Sequence, residues 1–389
     1  MNISELQKKY ETLRKVKHSC QRCLCDNTIS SISYDENGIC NYCKRHDLLT
    51  KEFNDDSENS KNLKKLVQKI KQDGQKKEYD CIVGVSGGTD SSYTLHLALQ
   101  LGLRPLAVHF DNGWNTIQSV SNVKAITDKL QVDLETYVVE WEEFKDIQLS
   151  FLKASVPCIE VPTDVGIFAV LYKIANQENI KYILGGQSFK TEGTVPKEWS
   201  YIDGTYVSTI QKKFGSKKIK SYPNLSLVKL FYYIFLKKIQ IIPILNYVDY
   251  EKTKAKDLLR EIYKWQDYDG HHYENIYSKF AFGWYQFYKF GIDKRKISYS
   301  GPIRSGIMNR SEGIKKISEA PHVGQETVDY VINKLGISEA EFIGFYDNKN
   351  KTYKDFFTSE SILIYFKPII YLLMKLNMIN QVLYRKYFS

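Results

Sequence analysis

The sequence predicts an α/β protein, in which a parallel sheet covered by helices is preceded by a small metal-binding ribbon and followed by a mostly helical part. Three observations carry this prediction. Five of the seven cysteines fall within residues 1–50, four short apolar runs alternate with helical segments between 79 and 205, and after Tyr206 the strand signal fades. The boundaries that follow are 1–50 for the ribbon, 51–78 for a charged helical connector, 79–205 for the α/β domain and 206–389 for the helical region, which is expected to meet substrate or partner.

Composition narrows the function classes. With 389 residues, 43% hydrophobic and 26% charged, the chain is neither disordered nor fibrous. Fifty-five Lys and Arg against 45 Asp and Glu leave a net charge of +10, which suits a phosphate-bearing ligand, an anionic membrane surface or RNA. The opening MNISELQKKY lacks the apolar core of a secretory signal, so a cytoplasmic location with reduced cysteines is expected. The apolar stretch Ser361 to Ile379 is broken by Lys367, Pro368 and Lys375 and is not read as a membrane span. Membrane association of this tail is compatible with its composition without being predicted.

In the ribbon, Cys20-x2-Cys23 and Cys40-x2-Cys43 have the spacing of two knuckles closing one tetrahedral site, and Gly38 supplies a tight turn before the second. Zinc accepts four thiolates without redox chemistry. Four protein sulfurs leave no open position, so the site reads as structural, with Cys25 as a bystander. In the connector, Leu63, Leu66, Val67 and Ile70 recur at helical spacing.

From Tyr79 the runs DCIVGV, RPLAVHF, LETYVV and KYILGG read as buried strands, separated by helical segments such as SYTLHLALQLG and VKAITDKL. A parallel sheet binds its ligand at the carboxyl ends of its strands. There the first strand gives way to Ser86, Gly87, Gly88, Thr89, Asp90, Ser91 and Ser92, whose backbone N–H groups, hydroxyls and following helix N-terminus suit an anion. The loop lacks the Lys-Ser/Thr of a Walker motif and the G-x-G-x-x-G of a dinucleotide fold. It resembles the pyrophosphate-binding (PP) loop of the ATP pyrophosphatases, in which a substrate oxygen attacks the α-phosphate of ATP and Mg2+ balances the charge. Asp90 then either organises magnesium and the loop or caps the helix. Asp111 and Asn112 after the second strand could meet the adenosine or form a plain turn, and Gly185 and Gly186 end the fourth strand at the same edge.

The ribbon ending in DENGICNYC, SGGTDSS, GLRPLAVHFDNGWN, WEEFKDIQLSFLKASVP, PTDVGIFAVLYKIA, ILNYVDY and KFGIDKRK together resemble the N-acetyl sugar amidotransferase family over about residues 18–345. That resemblance implies an ATP-dependent conversion of a sugar acetamido group to acetamidino, on a nucleotide-linked sugar of lipopolysaccharide O-antigen or flagellar glycan synthesis. It also implies Mg2+, and ammonia from a separate pair of glutaminase and cyclase-like proteins. Two features depart from the family. Thr89 stands where Lys is more usual, and the chain beyond Tyr346 has no clear counterpart.

Among candidate catalytic groups, Asp164 either caps a helix or faces the site, and Glu192 either accepts a proton from ammonia or is a solvated loop acid. His271, His272 and Glu274 are candidates for touching the sugar or its nucleotide. Lys294 and Arg295 form either an anion clamp or a solvated basic turn. The tyrosines concentrated after position 200 suit sugars, although aromatic stripes are more often core. The main alternative is a tRNA-thiolating pyrophosphatase. Against it, no cysteine follows Cys158, so nucleic acid is not favoured as a partner.

Overall fold

The computed structural model describes residues 18–53, 56–268, 270 and 273–375. Its centre is a five-stranded sheet made of β1 (Cys81–Gly84), β2 (Pro105–Asp111), β3 (Leu134–Val138), β4 (Tyr182–Gly185) and β5 (Gln240–Pro243). The order is β3-β2-β1-β4-β5 and every pairing is parallel. Helices α1 (Asn41–Phe53) and α2 (Asp56–Gly74) lead into the sheet. α3 (Thr89–Gln100), α4 (Ile117–Leu130), α5 (Trp141–Ala154) and α6 (Val161–Gln177) connect the strands. The four predicted strands are all present, but β3 is an exposed edge strand rather than the buried one expected, with Leu134 39% and Val138 65% exposed. The fifth comes from a region read as helical, where QIIP pairs with β4 from Tyr182↔Gln240 to Gly185↔Pro243.

Alternation along β1 explains why the sheet is covered on both faces. Ile82 joins one core with Val108, Phe151 and Val165, while Cys81 and Val83 join the other with Leu95, Ala98 and Leu259.

Beyond the sheet come α7 (Phe189–Glu192), α8 (Gly204–Phe214), α9 (Leu227–Phe231) and α10 (Lys252–Tyr263), with α9 continuing as a wider π-turn over Tyr232–Leu236. A continuous helical run follows at 276–290, then α11 (Arg295–Arg304), three further helices at Arg310–Ser318, Gln325–Leu335 and Glu339–Asp347, and finally α12 (Ser359–Leu363) and α13 (Lys367–Lys375). Many of the late aromatics are core: Trp284, Tyr285, Phe287, Phe342 and Tyr346 are buried in the same cluster as Phe151 and Val165. No described helix is long and apolar enough to cross a membrane.

Candidate active site

The loop after β1 is shaped by its glycines. Gly87 has φ +80°, and a Cβ there would meet the Ser119 backbone oxygen at 2.3 Å, so only glycine fits. Its carbonyl accepts from Trp265 Nε1 at 2.9 Å and Asn122 Nδ2 at 3.2 Å, which pins the loop from outside. α3 begins at Thr89, earlier than the sequence suggests, so Thr89, Asp90, Ser91 and Ser92 form its first turn behind the N-cap Gly88. Ser91 Oγ lies 3.2 Å from Ser86 Oγ and also accepts from Ser86 N–H, which ties the two ends of the loop together. Ser92 is buried beneath the turn.

A cavity of about 180 Å3 opens at this turn. It is lined by Ser86, Gly88, Thr89, Asp90, Ser91, Gly186 and Glu192 among the residues singled out from sequence. Gly186 lets the end of β4 pass the first turn of α3, since a Cβ would sit 3.0 Å from the Asp90 carbonyl. Further lining comes from Gln187, Lys252, Lys256, Tyr268 and Glu274, of which only Glu274 had been singled out. Lys252 Nζ donates to Asp90 Oδ2 at 2.7 Å, and Tyr250 donates its hydroxyl to Asp90 Oδ1.

Charge is concentrated here. Burial first, and then the Asp90 carboxylate, push Glu192 up to about 7. Burial also raises Glu274. For Lys252 desolvation opposes the charge, but Asp90 and then Glu192 and Glu274 outweigh it, and its pKa stands above the ordinary lysine value. The arrangement is a positive side chain and a helix N-terminus beside three acids, two of them protonated more readily than usual.

Other predicted residues are not part of this lining. Asp111 Oδ1 accepts from Gly113 N–H and Asn115 Nδ2, and buried Asn112 bonds Thr163, Trp114 and Asn275, so neither lines the cavity. Gly185 packs against Ile241. Asp164 lies within the first turn of α6, whose N-cap position is Glu160, four residues before the cap expected at Asp164, because the helix starts at Val161 and takes Pro162 into its first turn. Burial lifts Asp164 to about 6, and Lys294 pulls it down. Lys294 also lowers Glu160, Glu192 and Glu274, which puts its ammonium within electrostatic reach of both acid groups. It stands 3.5 Å from the Phe282 ring centroid. Arg295 grips Asp293 through Nε at 2.9 Å and a second nitrogen at 2.8 Å, and donates to the Glu319 carbonyl. As a pair the two do not form an anion clamp, because the Arg295 guanidinium is spent on Asp293. His271 and His272 lie outside the described residues.

The four sulfurs of Cys20, Cys23, Cys40 and Cys43 lie within 4.8 Å of one another and are buried. The pairs Cys20–Cys43 at 3.8 Å and Cys23–Cys40 at 3.7 Å match the edge of a tetrahedron with Zn–S of about 2.3 Å. The donor set therefore fits zinc. α11 clamps this centre: Lys296 pairs with Asp26 at 2.5 Å, and Arg304 donates to Cys43 at 3.3 Å, Cys23 at 3.1 Å and Cys25 at 3.0 Å. On its other side α11 meets the end of α7 so closely that a Cβ on Gly301 would lie 2.9 Å from Gly193 N. The ribbon thus buttresses the short helix that carries Glu192.

Comparison with known proteins bears on the chain's C-terminal part. Residues 274–369 match the family model described as "LPS biosynthesis protein WbpG-like, C-terminal domain", about a quarter of the chain, and this bears out the family resemblance read from the sequence; the match runs past Tyr346, so the segment up to 369, read from sequence as lacking a counterpart, has one. No curated protein sequence matches the chain. Among solved structures, NMN synthetase from Francisella tularensis is similar with a TM-score of 0.28 and 14% identity over 69% of this chain and 99% of that one. The NH3-dependent NAD synthetase from Campylobacter jejuni has a TM-score of 0.28 and 14% identity, over 52% of this chain and 77% of its own. A predicted subunit of tRNA methyltransferase from Methanocaldococcus jannaschii has a TM-score of 0.27 and 16% identity, over 46% and 74%. Scores of this size bear on neither substrate nor reaction.

Proposed function

We propose that this WbpG-like chain is an ATP-using enzyme of surface-polysaccharide biosynthesis that converts the acetamido group of a nucleotide-linked sugar to acetamidino. The observation that carries the reading is the joining, in one cavity, of the SGGTDS loop with Lys252, Glu192 and Glu274. The acetamido oxygen attacks the α-phosphorus of ATP and pyrophosphate leaves. Ammonia then adds to the imidoyl carbon, and AMP departs with the original oxygen.

Each of the chain's own groups has a part in this sequence. The loop and the α3 N-terminus hold the leaving phosphates, and Lys252 supplies the positive charge that Thr89 does not. Asp90, in the first turn of α3 beside the loop, would offer a carboxylate to a Mg2+ held mainly by the phosphate oxygens, which when bound would screen the phosphates. Glu192, with a pKa of about 7, is suited to take the proton that ammonium must lose before it can attack. Lys294, outside the lining, lowers both Glu192 and Glu274 and so favours their charged forms.

Ammonia reaches the site from a glutaminase and cyclase-like pair docking near Gly185, Gly186 and Glu192. The tRNA-thiolating alternative is disfavoured because no cysteine lines the cavity among the described residues. Cys81 and Cys158 are buried, and burial pushes the Cys158 thiol up to about 12.

The test supplies ATP, ammonium and a panel of nucleotide-linked acetamido sugars. The expected products are AMP, pyrophosphate and a sugar lighter by one mass unit. ADP with orthophosphate, or turnover only with tRNA, would overturn the reading.

A further inference from the structure

Between Gly204 and Val248 the sequence holds eight lysines, at positions 212, 213, 217, 218, 220, 229, 237 and 238, and no Asp or Glu. All eight are exposed. Within this stretch α9 and its π-turn read LVKLFYYIFL, and although nine of these ten residues are apolar or aromatic, none is buried. Val228 (79% exposed), Tyr232 (39%) and Leu236 (73%) recur every four residues and form one stripe. Tyr233 stacks on Tyr172 at 5.4 Å and fixes the helix to α6, while the Lys237 ammonium lies 5.5 Å from the Tyr232 ring centroid.

A second segment has the same character. Residues 361–389 contain no acid, and Ile364 (56%), Tyr365 (82%), Phe366 (50%) and Leu372 (58%) are exposed around α12 and α13. Both segments are rooted at one place. Asn224, just ahead of α9, donates to the Gly204 carbonyl at 2.9 Å, and Ser359, the first residue of α12, bonds Thr205 at 2.8 Å and Asp203 at 2.7 Å.

We propose that this face docks the protein peripherally on an anionic lipid bilayer, an inference independent of the reaction assigned above. Charge selects the occupant. A second copy would set lysines against lysines, of which among the described residues only Lys217 pairs with an acid, Glu142 at 3.6 Å, whereas phosphate headgroups neutralise them while the apolar stripe enters the acyl boundary. Tyrosines and lysines flanking the aliphatic side chains match the headgroup level, where an aromatic ring and a snorkelling ammonium are both satisfied.

The test is flotation of the full chain with vesicles of phosphatidylcholine alone or mixed with phosphatidylglycerol. Binding is expected only to the mixed vesicles, and it should weaken as salt is raised. Val228→Asp combined with Leu236→Asp, and separately Lys237→Glu with Lys238→Glu, should each lower partitioning by about tenfold or more while the circular dichroism and melting temperature stay unchanged. Failure of the wild type to prefer anionic vesicles would overturn the proposal, as would both variants binding like wild type. A concentration-dependent dimer that the Val228/Leu236 variant abolishes would assign the face to a second copy instead and would also overturn it.

Discussion

Lys252 Nζ lies 2.7 Å from Asp90 Oδ2 across 162 residues of sequence, and so brings a positive charge to a loop whose own variable position holds the uncharged Thr89. The contact does two things at once. It neutralises a carboxylate in an acid-rich cavity, and it aligns an ammonium with the end of the cavity where phosphate is expected.

Lys252→Met should therefore lower kcat/KM for ATP by about a hundredfold or more, because a desolvated charge aimed at phosphate acts where water cannot replace it. Lys252→Arg should recover part of the loss. Steady-state kinetics with pyrophosphate release as the readout decides this, and near-normal turnover by Lys252→Met would remove the residue from the phosphate site.

The raised Glu192 predicts a pH profile. Below about 7 this carboxyl is mostly protonated and cannot accept a proton, so its base form appears as pH rises through that value. Free ammonia also rises with pH, so the diagnostic is a comparison. Wild type should show an extra acid limb near 7 in kcat/KM for ammonium, and Glu192→Gln should lack that limb while turning over at least about tenfold more slowly. Identical profiles would make Glu192 a bystander.

Glu160 gives a stability prediction outside the cavity. It is buried with Oε1 lacking a partner among the described residues, and burial, followed by Asp164, holds it up to about 8 from an ordinary value of 4.5. The folded protein thus retains a proton that the unfolded chain releases. This favours folding fully below about 4.5, and the advantage is lost as pH rises to about 8. Glu160→Gln keeps the neutral shape, so its stability relative to wild type should grow across that window and level off above it, by a few kcal/mol in all, to about a factor of two. Denaturant melts at several pH values measure it, and a pH-independent difference would refute the assignment.

At the thiolate centre, Cys40→Ser should lose zinc and lower the melting temperature before it alters any chemical step, since the sulfurs close the ion off from substrate. Arg304→Met should also destabilise, by about 1–3 kcal/mol, because it removes the guanidinium that donates to Cys23 and Cys43. Elemental analysis and thermal melts check both. Full zinc retention by Cys40→Ser would exclude that cysteine as a ligand.

What the sequence made legible was local. Strands β1 to β4 stand out because each is a short apolar run bounded by polar or glycine residues, and the knuckles because two pairs share one spacing. β5 was hidden, since QIIP follows an apolar run long enough to read as helix. The far wall of the cavity was hidden for another reason. Tyr250 and Lys252 meet Asp90 only through the fold, and no periodicity reports a contact at such separation. Within the ILNYVDY segment, flagged for its resemblance, Tyr250 was already in view, but nothing local marked its hydroxyl as a partner for a loop carboxylate. Asp164 was misplaced relative to its helix because Pro162 reads as a breaker yet serves as a starter.

The order of strands across the sheet has a consequence for biosynthesis on the ribosome. β1 and β4 are complete once residue 185 has been made, but the strand that covers the outer edge of β4 arrives only with residues 240–243. Until then a nascent chain presents an open parallel edge, able to pair with any extended neighbour, and it lacks Lys252 opposite the phosphate loop. Stalled or prematurely terminated products would therefore be sticky and catalytically silent together, marking them for chaperones or proteases rather than leaving idle enzymes that squander nucleotide.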